Sequence, residues 1–237
     1  MPPIPAAAWA TDAQWLETLH SLCATLGARV DLPAPLAEVI ATIRNAAPPW
    51  IAGQVEALLQ AADERVEVAA APLIMAALQV HGVARAARFD ATAVRPLHVP
   101  GLCPLCGTLP VASRVCANTP YQGYRYLHCA LCATEWHLVR VQCSLCGASG
   151  KSIAYQSANA ISDDMPGDKP EPAAEAAVRA ETCEACHGYR KILYEEKDIA
   201  VEPVADDLAT LGLDLLLGES GYHRANSNPL LWQAGGG

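Results

Sequence analysis

Four Cys-x-x-Cys pairs, Cys103/Cys106, Cys129/Cys132, Cys143/Cys146 and Cys183/Cys186, constrain this chain more than any other feature. Two intervening residues let both sulfurs of a pair reach one ion from a tight turn, whose backbone N–H groups point at the thiolates and stabilise their charge. Two pairs make one tetrahedron of four thiolates, so four pairs make two metal sites. A glycine directly after the second cysteine eases the left-handed step such a turn requires. Gly107 and Gly147 stand there in two pairs; Ala133 and His187 hold the matching place in the others, which fit the pattern less well.

Sequential pairing groups Cys103, Cys106, Cys129 and Cys132 in one site and Cys143, Cys146, Cys183 and Cys186 in the other. The rival is a cross-braced arrangement, first pair with third and second with fourth. Sequential pairing is favoured because each half then holds a glycine-bearing first knuckle, a short strand pair and a second knuckle, an internal repeat of a rubredoxin-like or zinc-ribbon unit. Thioredoxin-like proteins carry one Cys-x-x-Cys on a βαβ frame, and ferredoxin spacings place a third cysteine close by, so both weigh less. An all-thiolate tetrahedron suits zinc, which would be a folding staple, or iron, which in the same cage can pass one electron. His128, His137 and His187 flank the cysteines, but each site already has four thiolates, so these are expected at the surface or beside the ligands. Cys23 falls on the apolar face of a helix and reads as core; Cys116 has no partner two or three residues away.

Residues 1–95 read as an all-helical domain. Thr11 with Gln14 makes a capping box, followed by Trp15, Leu16, Leu19, Leu22, Cys23 and Leu26 at helical spacing. Further helices start at Pro33–Pro35, at Pro48 and at about Pro72, each with an apolar stripe that needs the others as partners. From Pro96 the texture turns to cysteine, glycine and short β-prone pieces: Pro110–Val115, Tyr124–His128, Glu135–Val141, Ile153–Tyr155 and Arg190–Tyr194. Such strands need a staple. The expected class is therefore α+β: a helical domain at 1–95, two small rubredoxin-like or zinc-ribbon four-cysteine modules at 96–142 and 143–204, and a C-terminal helix and tail at 205–237. Residues 157–176, acidic and unpatterned, read as a mobile loop, and 219–237 as a tail.

Charge narrows the partners. The chain carries a net −9, and only residues 101–150, with three arginines against one glutamate, lean basic. A phosphate-binding protein usually carries a basic stripe, so no nucleic acid is expected, although Tyr121, Tyr124, Tyr126 and Trp136 are of the kind that can stack on bases. No apolar run approaches the roughly 20 residues of a membrane span, so no membrane insertion is expected. The first Lys or Arg is Arg29, which leaves a secretory n-region unsupplied, and ten cysteines fit a reducing cytoplasm. No P-loop, GxSxG or HExxH is present, so no enzyme is expected.

The run Arg125-Tyr126-Leu127-His128-Cys129-Ala130-Leu131-Cys132-Ala133-Thr134-Glu135-Trp136-His137 resembles the signature of the formate dehydrogenase accessory protein family (FdhE). So do Glu181–Cys186, Tyr189-Arg190-Lys191, Val204–Leu211, Gly221-Tyr222-His223-Arg224 and Asn228-Pro229-Leu230-Leu231. The likeness covers the chain from about residue 95 onward; members usually carry a longer N-terminal region. The resemblance implies a cytoplasmic, non-enzymatic maturation factor, or chaperone, that contacts the catalytic subunit of respiratory formate dehydrogenases. It implies that the eight paired cysteines hold two metal ions, rubredoxin-type iron with zinc as the alternative. A docking face made of Tyr126, Trp136 and Arg140 with the helical domain is the accompanying expectation. The competing readings are an iron electron-transfer or redox-sensing protein, and a zinc-ribbon nucleic-acid binder.

Overall fold

The computed structural model describes residues 1–12, 14–60, 63–118, 120–158 and 176–232. Helices α1 (Gln14–Gly27), α2 (Ala34–Asn45), α3 (Pro48–Leu59) and α4 (Ala71–Ala86) follow a short 3-10 segment at Ala6–Thr11. Proline at the first turns of α2, α3 and α4 costs nothing there, because those N–H groups have no acceptor within the helix. At α1 the helix start is held by Asp12, whose Oδ1 accepts from the Gln14 N–H. The expected Thr11 capping box rests on a side chain that lies outside the described part. The four helices bury Trp15, Leu19, Cys23, Ile43, Val55, Ile74 and Leu78 against one another.

This helical core does not close on itself. It is continuous with the first cysteine cluster: Cys103, Leu105, Cys106, Cys129, Leu131 and Cys132 belong to the same buried body as Trp9, Leu19 and Leu78. Ile4 and Ala6 donate backbone N–H bonds to the carbonyls of Leu105 and Cys106 at 3.0 and 2.9 Å, so the chain's start lies along the first knuckle. On the other side α4 comes very close to the second knuckle. A Cβ on Gly82 would lie 2.7 Å from the Trp9 ring and 2.8 Å from the Leu131 carbonyl oxygen, and Gln79 Nε2 donates to the Ala130 carbonyl at 2.9 Å.

The remainder forms β1 (Pro110–Val115), β2 (Arg125–Cys129), β3 (Glu135–His137), β4 (Ile153–Gln156), β5 (Val178–Cys183), β6 (Gly188–Tyr194), helices α5 (Ala205–Ala209) and α6 (Leu211–Glu219), and β7 (His223–Arg224). The strands make one sheet ordered β3-β2-β1-β6-β5-β4, with β7 also paired to β6. Each repeat supplies an antiparallel three-stranded half. The two halves meet where β1 runs parallel to β6, with Ser113 opposite Ile192 and Val115 opposite Tyr194. The modules therefore share a sheet instead of standing apart, which gives these short strands more partners than a lone ribbon offers.

Several local expectations change. The strand expected over Glu135–Val141 ends at His137, because the Arg125 guanidinium draws the carbonyls of Leu138, Val139 and Gln142 toward itself and turns the chain. The helix expected near 205–217 breaks at Thr210: Lys191 Nζ takes the carbonyls of Asp207 at 2.6 Å and Thr210 at 3.0 Å, removing helix acceptors. Residues 221–232 are no tail. Ala225 donates to the Tyr189 carbonyl, Asn228 is fully buried with its amide on Val204 O and Asp207 Oδ2, and Trp232 packs on the helical core. The expected mobile loop at 157–176 falls largely on 159–175, and the expected fraying at 235–237 falls within 233–237; both lie outside the described residues. Among the described residues no helix is long and apolar enough to cross a membrane.

Candidate metal centres

All four Cys-x-x-Cys segments fold into the same knuckle. In each, the residue after the second cysteine has a left-handed backbone: φ is +83° at Gly107, +54° at Ala133, +76° at Gly147 and +54° at His187. Ala133 and His187 are the non-glycine residues with positive φ among the described residues, so the two knuckles that fit the sequence pattern less well reach the same shape by accepting strain. In three of them the turn closes on the first cysteine: Gly107 N–H donates to Cys103 O, Gly147 to Cys143 O and His187 to Cys183 O, at 2.8–3.1 Å. The first cysteines also donate outward, Cys103 N–H to Thr108 O, Cys129 to Thr134 O and Cys143 to Ala148 O.

The folded chain brings Cys103, Cys106, Cys129 and Cys132 together, and separately Cys143, Cys146, Cys183 and Cys186, each set with its sulfurs within 4.8 Å of one another. Four thiolates about 2.3 Å from a shared ion stand about 3.8 Å apart. In the first cluster Cys103–Cys132, Cys106–Cys132 and Cys106–Cys129 are 3.6, 3.5 and 3.4 Å apart; in the second Cys143–Cys186 and Cys146–Cys183 are 3.9 and 3.7 Å apart. All ten cysteines are free of disulfides. Donor chemistry and spacing thus both fit a tetrahedral all-thiolate ion, and each cluster is able to hold one.

Electrostatics point the same way. Burial pushes the Cys129 and Cys143 thiols up and carries Cys186 to about 12, so these three sulfurs resist ionising unless a cation offsets their charge. Cys146, at the surface, is moved down, chiefly by the Ala148 N–H; in the first cluster Cys103 is moved down by the neighbouring thiols, Cys106 foremost, and Cys132 is moved down as well.

The two clusters sit in different surroundings. The first is wholly buried, and the Thr108 hydroxyl lies 3.1 Å from both Cys106 and Cys129 sulfurs while the Thr134 hydroxyl lies 3.1 Å from Cys132. The equivalent positions of the second cluster hold Ala148 and Gly188, which have no hydroxyl to give. There Cys143 and Cys183 are buried, Cys186 is half-buried and Cys146 is exposed. The sequence signal for this asymmetry, threonine against alanine and glycine two residues after the second cysteine, was in plain view.

Contacts between the repeats bind the clusters together mechanically. A Cβ on Gly101 would fall 1.7 Å from the Ser144 carbonyl oxygen, so the approaches to the first and third knuckles touch backbone to backbone. Arg190, on β6, donates to Ser144 Oγ at 3.0 Å and to the Pro110 carbonyl. Arg125 and Glu181, both buried, pair across the sheet, and Arg114 bridges Glu135 and Glu195. Motif residues singled out in sequence prove to hold the fold: Lys191, Asp207, Arg224 and Asn228 form one polar network with Asp214.

The histidines stand outside both four-sulfur sets. His128 Nδ1 lies 3.2 Å from Glu135, His137 meets the rings of Tyr124 and Tyr126, and His187 lies beside Tyr222. Cys23 is buried in the helical core, and Cys116 heads the β1–β2 hairpin, donating to Tyr124 O.

Comparison with known proteins gives a consistent result. Profiles described as FdhE N-terminal, FdhE central domain and FdhE C-terminal domain match residues 1–98, 102–140 and 141–231. The Protein FdhE of Escherichia coli (strain K12) is 37% identical over 241 residues, covering 99% of this chain and 71% of that protein. The Protein FdhE homolog of Rhizobium meliloti (strain 1021) is 39% identical over 98% of this chain and 71% of its own. The crystal structure of the FdhE protein from Pseudomonas aeruginosa superposes with a TM-score of 0.85 at 37% identity, over 100% of this chain and 77% of that one. Matched end to end by the three profiles and along nearly its full length by these relatives, the chain belongs to the FdhE family.

Proposed function

We propose that this chain is a cytoplasmic, non-enzymatic assembly factor that binds the catalytic subunit of a respiratory formate dehydrogenase. In this reading it carries two ions, one on Cys103, Cys106, Cys129 and Cys132 and one on Cys143, Cys146, Cys183 and Cys186. Iron is the ion that the family resemblance implies, and zinc fits the same cage. One observation carries the reading: each cluster offers four sulfurs at tetrahedral spacing, which completes an ion's coordination and leaves no place for a reacting water. Such ions hold a surface in shape for a partner. Division into residues 1–95, 96–142, 143–204 and 205–237 is kept as the proposed organisation, with the first two joined in one core.

The test is capture of a formate dehydrogenase catalytic subunit by the metal-loaded full chain, with each cysteine pair replaced in turn. Wild type should retain the subunit and hold two ions; Cys103→Ser and Cys143→Ser should each lose one ion and weaken capture. No capture by wild type refutes the partner, and unchanged metal content in both variants refutes the ligand assignment.

Exposure of Cys146 favours a second reading, electron exchange or redox sensing at the second cluster, since an ion reached through a surface thiolate is open to an outside partner. It requires iron. Protein purified anaerobically that contains zinc alone would eliminate it.

A further inference from the structure

An apolar groove of about 640 Å³ lies beside the first cluster. Its floor is made by Val83, Phe89, Val94, Leu97 and Leu102, and its far wall by residues 132–137, the second knuckle and strand β3. Among the described residues β3 is the outer strand of the sheet at this end, paired on one side only, to β2. Trp136 stands in that wall, its indole N–H held by the Pro100 carbonyl at 2.8 Å. Arg140, expected beside it, is not part of the groove; its guanidinium lies 5.7 Å over the Tyr194 ring.

The segment that supplies the floor is charged differently from the chain as a whole. In a chain of net −9, the segment that supplies the floor interleaves its apolar residues with Arg88, Arg95 and His98, all exposed and with no side-chain hydrogen bond or ion pair among the described residues. Asp90, the acid within that segment, is turned onto Thr92, accepting from both its N–H and its hydroxyl. The carboxylate in the opposite wall, Glu135, is matched by Arg114 and His128. An apolar floor, an unpaired strand edge and uncompensated cations define one kind of visitor.

We infer that this groove docks an extended segment of a partner protein that alternates apolar and acidic side chains, added as a strand at the edge of β3. Its apolar side chains enter the floor, its carboxylates meet Arg88 and Arg95, and its backbone pairs with Glu135–His137. The inference deepens the proposed function by naming the surface and the partner's chemistry; only the ownership of the segment rests on that proposal.

The experiment uses the metal-loaded full chain and two fluorescein-labelled ten-residue peptides, one alternating leucine with glutamate and one leucine with lysine. Anisotropy should show the glutamate peptide binding at least about tenfold tighter than the lysine peptide, with affinity falling as salt rises. N-methylation of alternate backbone nitrogens should abolish binding, since strand addition needs those donors. The exposed double variant R88E/R95E, which disturbs no packing, should weaken the glutamate peptide about tenfold or more. Equal binding of the two peptides, no effect of R88E/R95E, or no anisotropy change would overturn the inference. So would a dimer of the chain abolished by R88E/R95E, which would put a second copy in the groove. Undiminished capture of the catalytic subunit by R88E/R95E overturns the groove and leaves the proposed function standing. Failure of wild type to capture that subunit, beside tight and charge-dependent peptide binding, does the reverse.

Discussion

Arg125→Met tests whether the two four-cysteine repeats are held together by buried charge. Arg125 is 1% exposed and spends its guanidinium on four partners: Glu181 in the other repeat, and the carbonyls of Leu138, Val139 and Gln142, which lead into Cys143. Burial raises the Glu181 carboxyl even beside Arg125, so the pair gains little over an apolar replacement while being costly to break. Removing the arginine alone strands a buried carboxylate, which costs about 3–5 kcal/mol. The three freed carbonyls add about 1–3 kcal/mol if one of them stays dry. Against a typical total stability of about 5–15 kcal/mol, R125M should unfold at much lower urea and lose metal from the second cluster before the first. Urea titration followed by circular dichroism, with metal content read on the same samples, measures both. The double variant R125M/E181M removes the stranded carboxylate and should recover about 2 kcal/mol or more, without reaching wild type, because the carbonyls remain unmatched. An R125M protein as stable as wild type, or a double variant no better than R125M, would refute the reasoning.

Ala133→Gly should stabilise the metal-loaded protein by about 0.5–1 kcal/mol, since glycine carries the left-handed backbone without the strain that alanine pays and the exposed methyl buries nothing; a lower urea midpoint than wild type would contradict it. Glu135→Gln should show a pH-dependent loss. Burial raises the Glu135 carboxyl, but His128 and Arg114 outweigh it and hold it at about 2 against an ordinary 4.5. With the folded value below the unfolded one, its stabilisation is present above about 4.5 and is lost as pH falls toward 2. The difference in urea midpoint between wild type and E135Q should therefore be constant near neutrality and shrink below pH 4.5; a difference that grows on acidification would contradict the sign.

The helices at the N-terminus were readable because an apolar stripe at helical spacing and a proline at the first turn are local signals. Knuckles are equally local, so the eight cysteines, and the family strings around them, stood out in the linear chain. Strand β5 was missed because Val178–Cys183 carries Arg179 and Glu181, charges that look solvent-bound until Glu181 is seen 5% exposed against Arg125. The same blindness hid β7 and the docked residues 221–232, whose partners on β6 and at Asp207 are distant in sequence.

By itself the sequence determined the helical domain, the two-site cysteine pattern and the kind of ion that fits it, since ligand spacing and helical period are set within a few residues. Tertiary structure alone decided that β1 meets β6, that the helical domain buries the first cluster and leaves Cys146 of the second exposed, and that an apolar groove opens beside β3. Those outcomes depend on which distant surfaces exclude water from one another, and pairs such as Ser113 with Ile192 leave no periodic trace in the chain.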